Sequence, residues 1–335
     1  MTQRRVKIGF IGAGSIGSLF GGYLASLKSD EYSTEVILFC RESHANEINK
    51  NGLILKRGQS ELKITELKAY KNPKEADDLL LKDSDFSFDF LFLTTKAYDL
   101  ETAMVEYRRV IESSKWIIIL QNGIGNEQIA YNYCPEKKIL RMLTSGGALL
   151  SKAGEVIHTG EGITKLGFPI QKGITVNGPE MSEIQVNLKL ISDLLNLVGI
   201  DTEIVDDIIG ESWEKVFVNV GINAFGALSR LKNGQLLENK GIKHMMGIAI
   251  NEALKVAEKQ HIILSNKDFL AVTYDVAKNT AENKNSMLQD ILKRKPTEID
   301  FINGRIVKLG KELGVNTPVN ELLTYLIKGL EESGI

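Results

Sequence analysis

Six residues, Gly12-Ala13-Gly14-Ser15-Ile16-Gly17, set glycines at the G-x-G-x-x-G spacing directly after a short apolar run and directly before a helical pattern. Each glycine has a distinct use there. Gly12 permits a tight turn, Gly14 lets the backbone approach a pyrophosphate, and Gly17 lets the helix pack closely on the strand. The helix N-terminus adds free N–H groups and a positive dipole end, so the expected chemistry is dinucleotide binding. A glycine-rich strand–helix turn without a ligand is the plainer alternative, but the flanking strands agree with a nucleotide site. The next strand-like run, 35–40, ends in Phe39-Cys40, and Arg41 stands at its C-terminal tip. An acid at such a tip bonds a ribose 2′-OH, whereas an arginine accommodates a 2′-phosphate. Arg41 therefore points to NADP(H), although Glu42 follows it and an arginine at a strand end can simply face solvent.

A second set of polar residues lies far downstream. From Trp213 to Leu228 the chain is apolar nearly all round, which marks a buried helix. After Glu214 its polar side chains are Lys215, Asn219 and Asn223, at i, i+4 and i+8 on one face. A solvent face would carry a broader and more charged arc. The narrow row reads better as one wall of a polar pocket, and a ligand carboxylate would supply the partners that buried polar groups need. Further on stand Ser286-Met287-Leu288-Gln289-Asp290 and Thr297-Glu298-Ile299-Asp300. Ser286 also suits a helix N-cap, and Glu298 suits a first-turn acid after Pro296.

These residues need a scaffold to hold them. Apolar runs at 6–11, 36–40, 88–94 and 116–120 are rich in β-branched and aromatic residues, as buried parallel strands are. They alternate with helical patterns, which predicts βαβ units and a doubly wound sheet with binding turns at the strands' carboxyl ends. Thr94-Thr95-Lys96 and Gln121-Asn122-Gly123 are two such turns. The runs at 139–143 and 163–167 extend the sheet. A loop follows at 173–179, then a helix through Leu197 and a short strand at 202–205. Beyond Asp206 strand-like runs give way to helices. Ile299, Ile302, Ile306, Leu309 and Leu313 form a one-sided stripe ended by Gly314, and Thr317-Pro318 starts the next helix. The expected architecture is α/β: a Rossmann-like domain over 1–206 and a mainly helical substrate and catalytic domain over 207–335.

Composition narrows the class. The 335 residues are 43% hydrophobic and 25% charged, with a net charge of −2, which suits a soluble globular protein and offers no field for nucleic acid or an anionic membrane. Two cysteines without a C-x-x-C suggest neither a disulfide framework nor a metal site, and fit a cytoplasmic protein. Arg4-Arg5 before an apolar stretch imitates a secretory signal, but six glycines between Gly9 and Gly22 interrupt it.

Taken together the motifs resemble the ketopantoate reductase (2-dehydropantoate 2-reductase) family over nearly the whole chain. They include the fingerprint at 12–17, Arg41, Asn51-Gly52-Leu53, Thr95-Lys96-Ala97, Gln121-Asn122-Gly123, and His158 ahead of Gly160 and Gly162. The row from Trp213 to Asn223 and the two segments at 286–290 and 297–304 are the most specific. Extra length near 81–87 and 170–180 departs from the family pattern. The resemblance implies NADPH-dependent reduction of the C2 ketone of a 2-oxo-4-hydroxy acid on the way to pantothenate and coenzyme A. It implies Lys215 as general acid and Glu298 as the acid near the reacting oxygen. Asn219, Asn223 and Ser286 would hold substrate, Lys96 and Asn122 would contact cofactor, and no metal would be required. A reductase of another branched 2-oxo acid and a non-catalytic NADP(H) sensor are the competing readings; a homodimer is compatible with the helical stripes.

Overall fold

The computed structural model describes residues 3–82, 86–170 and 176–333. The expected extra length near 81–87 and the loop at 173–179 fall partly on 83–85 and 171–175, outside the described residues. The chain forms two compact units, one of residues 1–121 and 126–208, the other of 122–125 and 209–335. The change of texture expected near 206 thus lies close to the break after Ile208, while four residues from the middle of the first half group with the helical unit.

The strands of the first unit are β1 (Arg4–Ile11), β2 (Tyr32–Phe39), β3 (Leu53–Arg57), β4 (Ser60–Ile64), β5 (Lys68–Tyr70) and β6 (Phe90–Leu93). They continue with β7 (Trp116–Ile119), β8 (Ile139–Thr144), β9 (Gly147–Lys152), β10 (Glu155–Gly160), β11 (Thr164–Gly167) and β12 (Thr202–Ile204). Its helices are α1 (Ser15–Ala25), α2 (Glu42–Asn51), α3 (Pro73–Lys82), α4 (Leu100–Glu106), α5 (Arg108–Ser113), α6 (Asn126–Ala130) and α7 (Gly178–Leu197).

Eight strands make one sheet in the order β12-β11-β8-β7-β6-β1-β2-β5, parallel except where β11 runs against β8. β6 and β7 are buried along their whole length, as strands covered on both faces must be. Side chains alternate between the faces. Val6, Ile8 and Phe10 join a core with Leu188, Ile191 and Leu195 of α7, whereas Ile11, Leu91 and Leu93 join Leu100, Met104 and Ile111 of α4 and α5. The chain passes from β1 to β2 on one side and later to β6 on the other. That reversal is the switch point at which open α/β sheets bind ligands.

A second sheet, β4-β3-β10-β9, was not foreseen in the sequence. It covers the outer side of α1, and adjacent glycines in that helix explain how. A Cβ on Gly21 would meet Leu38 at 2.6 Å, while one on Gly22 would meet Leu53 and Leu55 at 2.9 Å. Each glycine admits one sheet.

At the carboxyl end of β7 a fully buried arginine holds the backbone. Arg141 on β8 donates to the carbonyls of Ile119 (3.3 Å) and Gln121 (2.8 Å) and pairs with buried Glu127 at 2.9 Å. Losing either member would leave an uncompensated buried charge.

The helical unit comprises α8 (Ile208–Ser229), α9 (Asn233–Glu238), α10 (Lys240–Lys259), α11 (Phe269–Asn279), α12 (Ser286–Leu292), α13 (Asn303–Leu313) and α14 (Pro318–Ser333). α8 runs through its core, with Phe217, Val220 and Ala224 fully buried. The apolar stripe from Ile299 to Leu313 is not one helix. Ile299–Phe301 is a 3₁₀ turn, Ile302 leaves helical geometry at φ −113° and ψ −98°, and α13 starts at Asn303. Gly314 ends α13 in the left-handed conformation at φ +70°, as its sequence position predicts. Among the described residues no helix is long and apolar enough to cross a membrane.

Candidate active site

In the first unit, the register aligns Ile11 with Phe39 on one side and with Leu93 on the other. The glycine turn, the Cys40-Arg41 turn and the Thr94–Lys96 turn therefore leave adjacent strands at one level. Two of the fingerprint glycines, Gly12 and Gly17, are sterically required. Gly12 has φ +81°, and a Cβ there would sit 2.5 Å from Thr95 N; a Cβ on Gly17 would strike Thr94 Oγ1. Beyond Gly14 the nearest atom to a built Cβ is the Gly12 carbonyl at 3.8 Å, which leaves open space for a ligand's approach. Gly12 and Ala13 both donate to the Phe39 carbonyl (3.0 and 2.9 Å), and Gly14 donates to Gly12 O (2.6 Å). The donors suited to an anion are consequently those of Ser15, Ile16 and Gly17 in the first turn of α1. No side chain caps that helix and no acidic residue stands in its first turn. This fits a bound pyrophosphate.

Arg41 is exposed at the start of α2, beyond the carboxyl end of β2. Its charge reaches Asp99, whose carboxyl burial pushes up while Arg41 pulls it down. Lys96 is half-buried and precedes the 3₁₀ turn Ala97–Asp99.

Three of the sequence's candidates meet in the second unit. Lys215 Nζ donates to Asn122 Oδ1 at 3.0 Å, and Asn122 Nδ2 donates to Glu298 Oε2 at 3.1 Å. The amide is locked in one orientation, because a flip would set its donors against the ammonium and its acceptor against the carboxylate. Glu298 is only 4% exposed. Lys215 and Asn122 are half-buried. Glu298 is not a first-turn acid; it precedes the 3₁₀ turn, with no side-chain capping bond. The same turn holds residues 122–125, since Ile124 N donates to Phe301 O (3.2 Å).

Asn219 and Asn223 continue the α8 row by one and two turns, half-buried and buried respectively. Glu214 stands outside the row: its carboxylate binds Ser265 N (3.0 Å) and Lys267 Nζ (2.9 Å). Ser286 is exposed in the first position of α12, and the cap of that helix is Asn285, which accepts from Leu288 N at 3.0 Å. Gly226 lets Asn285 approach α8, where its amide reaches the Ile222 carbonyl at 3.5 Å. The contact with α8 is made by Asn285; Ser286, the next residue, is exposed. The bridging of Lys215 and Glu298 by Asn122 was missed from sequence, where Asn122 read as a cofactor contact. Its signal was the neighbouring Gly123, which has φ +85°.

The pattern described as ketopantoate reductase PanE/ApbA matches residues 8–170, and that of its C-terminal domain matches 207–331. The chain belongs to the ketopantoate reductase family. The 2-dehydropantoate 2-reductase of Pyrococcus horikoshii is 35% identical over 338 residues, covering 98% of this chain and 99% of that protein. The enzyme of that name from Archaeoglobus fulgidus is 34% identical, covering 99% of each. Among solved structures, a PanE/ApbA family ketopantoate reductase from Ralstonia eutropha superposes with a TM-score of 0.82 at 24% identity, over 98% of this chain and 99% of that one. A ternary structure of D-mandelate dehydrogenase with NADH and anilino(oxo)acetate superposes at 0.84 with 27% identity, over 98% and 99%. The family architecture, a Rossmann N-terminal domain followed by a helical C-terminal one, is the one seen here.

Proposed function

We propose that the chain is a cytoplasmic NADPH-dependent 2-dehydropantoate 2-reductase, forming pantoate for pantothenate and coenzyme A. The observation that carries this reading is the Lys215–Asn122–Glu298 array, in a chain whose full-length relatives bear that name. When bound, the reduced nicotinamide supplies a hydride to the C2 carbon of the ketone. Lys215 donates a proton to the C2 oxygen, and its charge stabilises the developing alkoxide. Asn122 and Glu298 hold the ammonium in place, and solvent restores its proton. Asn219, Asn223 and Ser286 bind the substrate's hydroxyl and carboxylate. The α1 N-terminus holds the pyrophosphate, Arg41 the 2′-phosphate, and Lys96 the cofactor near the end of β6.

A second reading rests on the likeness to D-mandelate dehydrogenase: the same scaffold reducing another 2-oxo acid. Nucleotide oxidation is measured with ketopantoate, with its analogue lacking the 4-hydroxyl and with the oxo acid of mandelate. A site built to bond the hydroxyl prefers ketopantoate in kcat/KM by on the order of 100-fold or more. Equal or better turnover of either analogue replaces the first reading by the second.

Cofactor choice has its own test. Arg41→Ala raises KM for NADPH by roughly 10- to 100-fold, the loss of one charge-assisted bond, and leaves KM for NADH nearly unchanged. Equal changes for both cofactors would make Arg41 a plain surface residue.

A further inference from the structure

His44 is the most deeply buried histidine side chain with polar partners on both ring nitrogens, 3% exposed on α2. Gly154 N–H, in the turn between β9 and β10, donates to its Nδ1 at 2.8 Å. That bond places the ring proton on Nε2, which faces Ser18 Oγ at 2.9 Å, and the Ser18 hydroxyl in turn donates to the Ala13 carbonyl at 3.0 Å. Ser18 is fully buried. Burial pushes the imidazole down to about 4, so the ring stays neutral with one donor and one acceptor. A second tie runs from the same hairpin to the same turn: Leu150 N–H donates to Ser15 Oγ at 3.0 Å. His44 N–H also donates to the Arg41 carbonyl at 2.9 Å. Nothing in the proposed chemistry uses the His44 or Ser18 side chain, yet Ser18 bonds the glycine turn and the neighbouring hairpin bonds Ser15 in it.

We propose that His44, seated against the β9–β10 hairpin and acting through Ser18 on the Ala13 carbonyl, is a buttress that sets nucleotide affinity by fixing the fingerprint turn. The inference rests on the nucleotide-binding reading above. Its physical basis is the direction of one carbonyl. With Ala13 O drawn inward by Ser18, no carbonyl of that peptide faces the site, and the N–H groups of the first turn of α1 meet the anion unopposed. Released, the Ala13–Gly14 peptide can rotate, since glycine accepts both hands of backbone conformation, and its oxygen then repels phosphate. His44 and Ser18 are positioning residues, because neither touches the ligand.

Amide replacements of His44 separate this role from simple filling of the core. Glutamine sets its amide nitrogen near the place of Nε2 and keeps the bond to Ser18. Asparagine sets its oxygen near the place of Nδ1 and keeps only the bond from Gly154. The Kd of NADPH is measured by fluorescence titration for wild type, His44→Gln, His44→Asn, Ser18→Ala and the Asn/Ala double variant, alongside each Tm. The expected result is a Kd raised on the order of 10-fold in His44→Asn and Ser18→Ala, no further rise in the double variant, and a Kd within about threefold of wild type in His44→Gln. Should His44→Asn fail to fold, Ser18→Ala carries the decision alone. Variants that bind NADPH as tightly as wild type overturn the buttress and leave the nucleotide site standing. A wild-type protein that binds neither NADPH nor NADH overturns both.

Discussion

Replacing Lys215 with alanine lowers kcat by about 100- to 10,000-fold while the Kd of NADPH stays within about threefold of wild type. The expectation follows from where the lysine stands. It heads the polar row of an otherwise apolar core helix and donates to Asn122 at 3.0 Å, while the residues suited to nucleotide belong to the other compact unit. An ammonium on a buried helix is held only if its environment returns what desolvation removes, and here Asn122 relays the Glu298 carboxylate toward it. Removing the side chain takes away both the proton donor and the charge that meets the alkoxide. Lys215→Arg does not restore the rate, because a guanidinium does not release its proton at working pH. Single-turnover kinetics at saturating nucleotide check the result. Near-normal kcat in purified Lys215→Ala would remove the lysine from the chemistry.

Much of this arrangement was legible in the sequence because local rules wrote it there. Phosphate turns need glycines at fixed spacing, and buried parallel strands need unbroken apolar runs, so 12–17 and the central strands could be read directly. A polar row on an apolar helix is equally visible, since i, i+4 spacing is a property of one element. What could not be read depends on contacts between distant segments. The sheet β4-β3-β10-β9 is built of short strands, and every residue of β4 but Ile64 is exposed, so no alternation marks that strand. Its trace lay instead in Gly21-Gly22, two small residues whose purpose appears only when both sheets are present. The stripe from Ile299 to Leu313 has helical period, yet the chain breaks it at Ile302 to set Glu298 and Phe301 against residues 122–125. His44 carried no sequence signal, because its partners lie 26 and 110 residues away.

Gly123→Ala has the next largest expected effect: kcat falls by about 100-fold and Tm by several degrees. Two costs combine at this position. An L-residue at φ +85° is strained by roughly 1–2 kcal/mol. Its Cβ would also strike the Phe301 carbonyl oxygen and lie 2.7 Å from Phe301 Cβ. Phe301 cannot retreat cheaply, because its N–H donates to Glu298 O at 3.0 Å and its carbonyl accepts from Ile124 at 3.2 Å. The turn must shift, and Asn122 shifts with it. A displacement of about 1 Å breaks the geometry in which one amide joins Lys215 to Glu298, and misplacement of that size is enough for the loss in rate. Gly58→Ala is the control. Gly58 also has positive φ, +57°, but nothing lies within 4 Å of a built Cβ, so only the backbone strain remains and kcat is unchanged. A Gly123→Ala enzyme that loses stability but keeps full kcat would show that Asn122 does not need its present position, and the Lys215–Asn122–Glu298 array would lose its place in the proposed reaction.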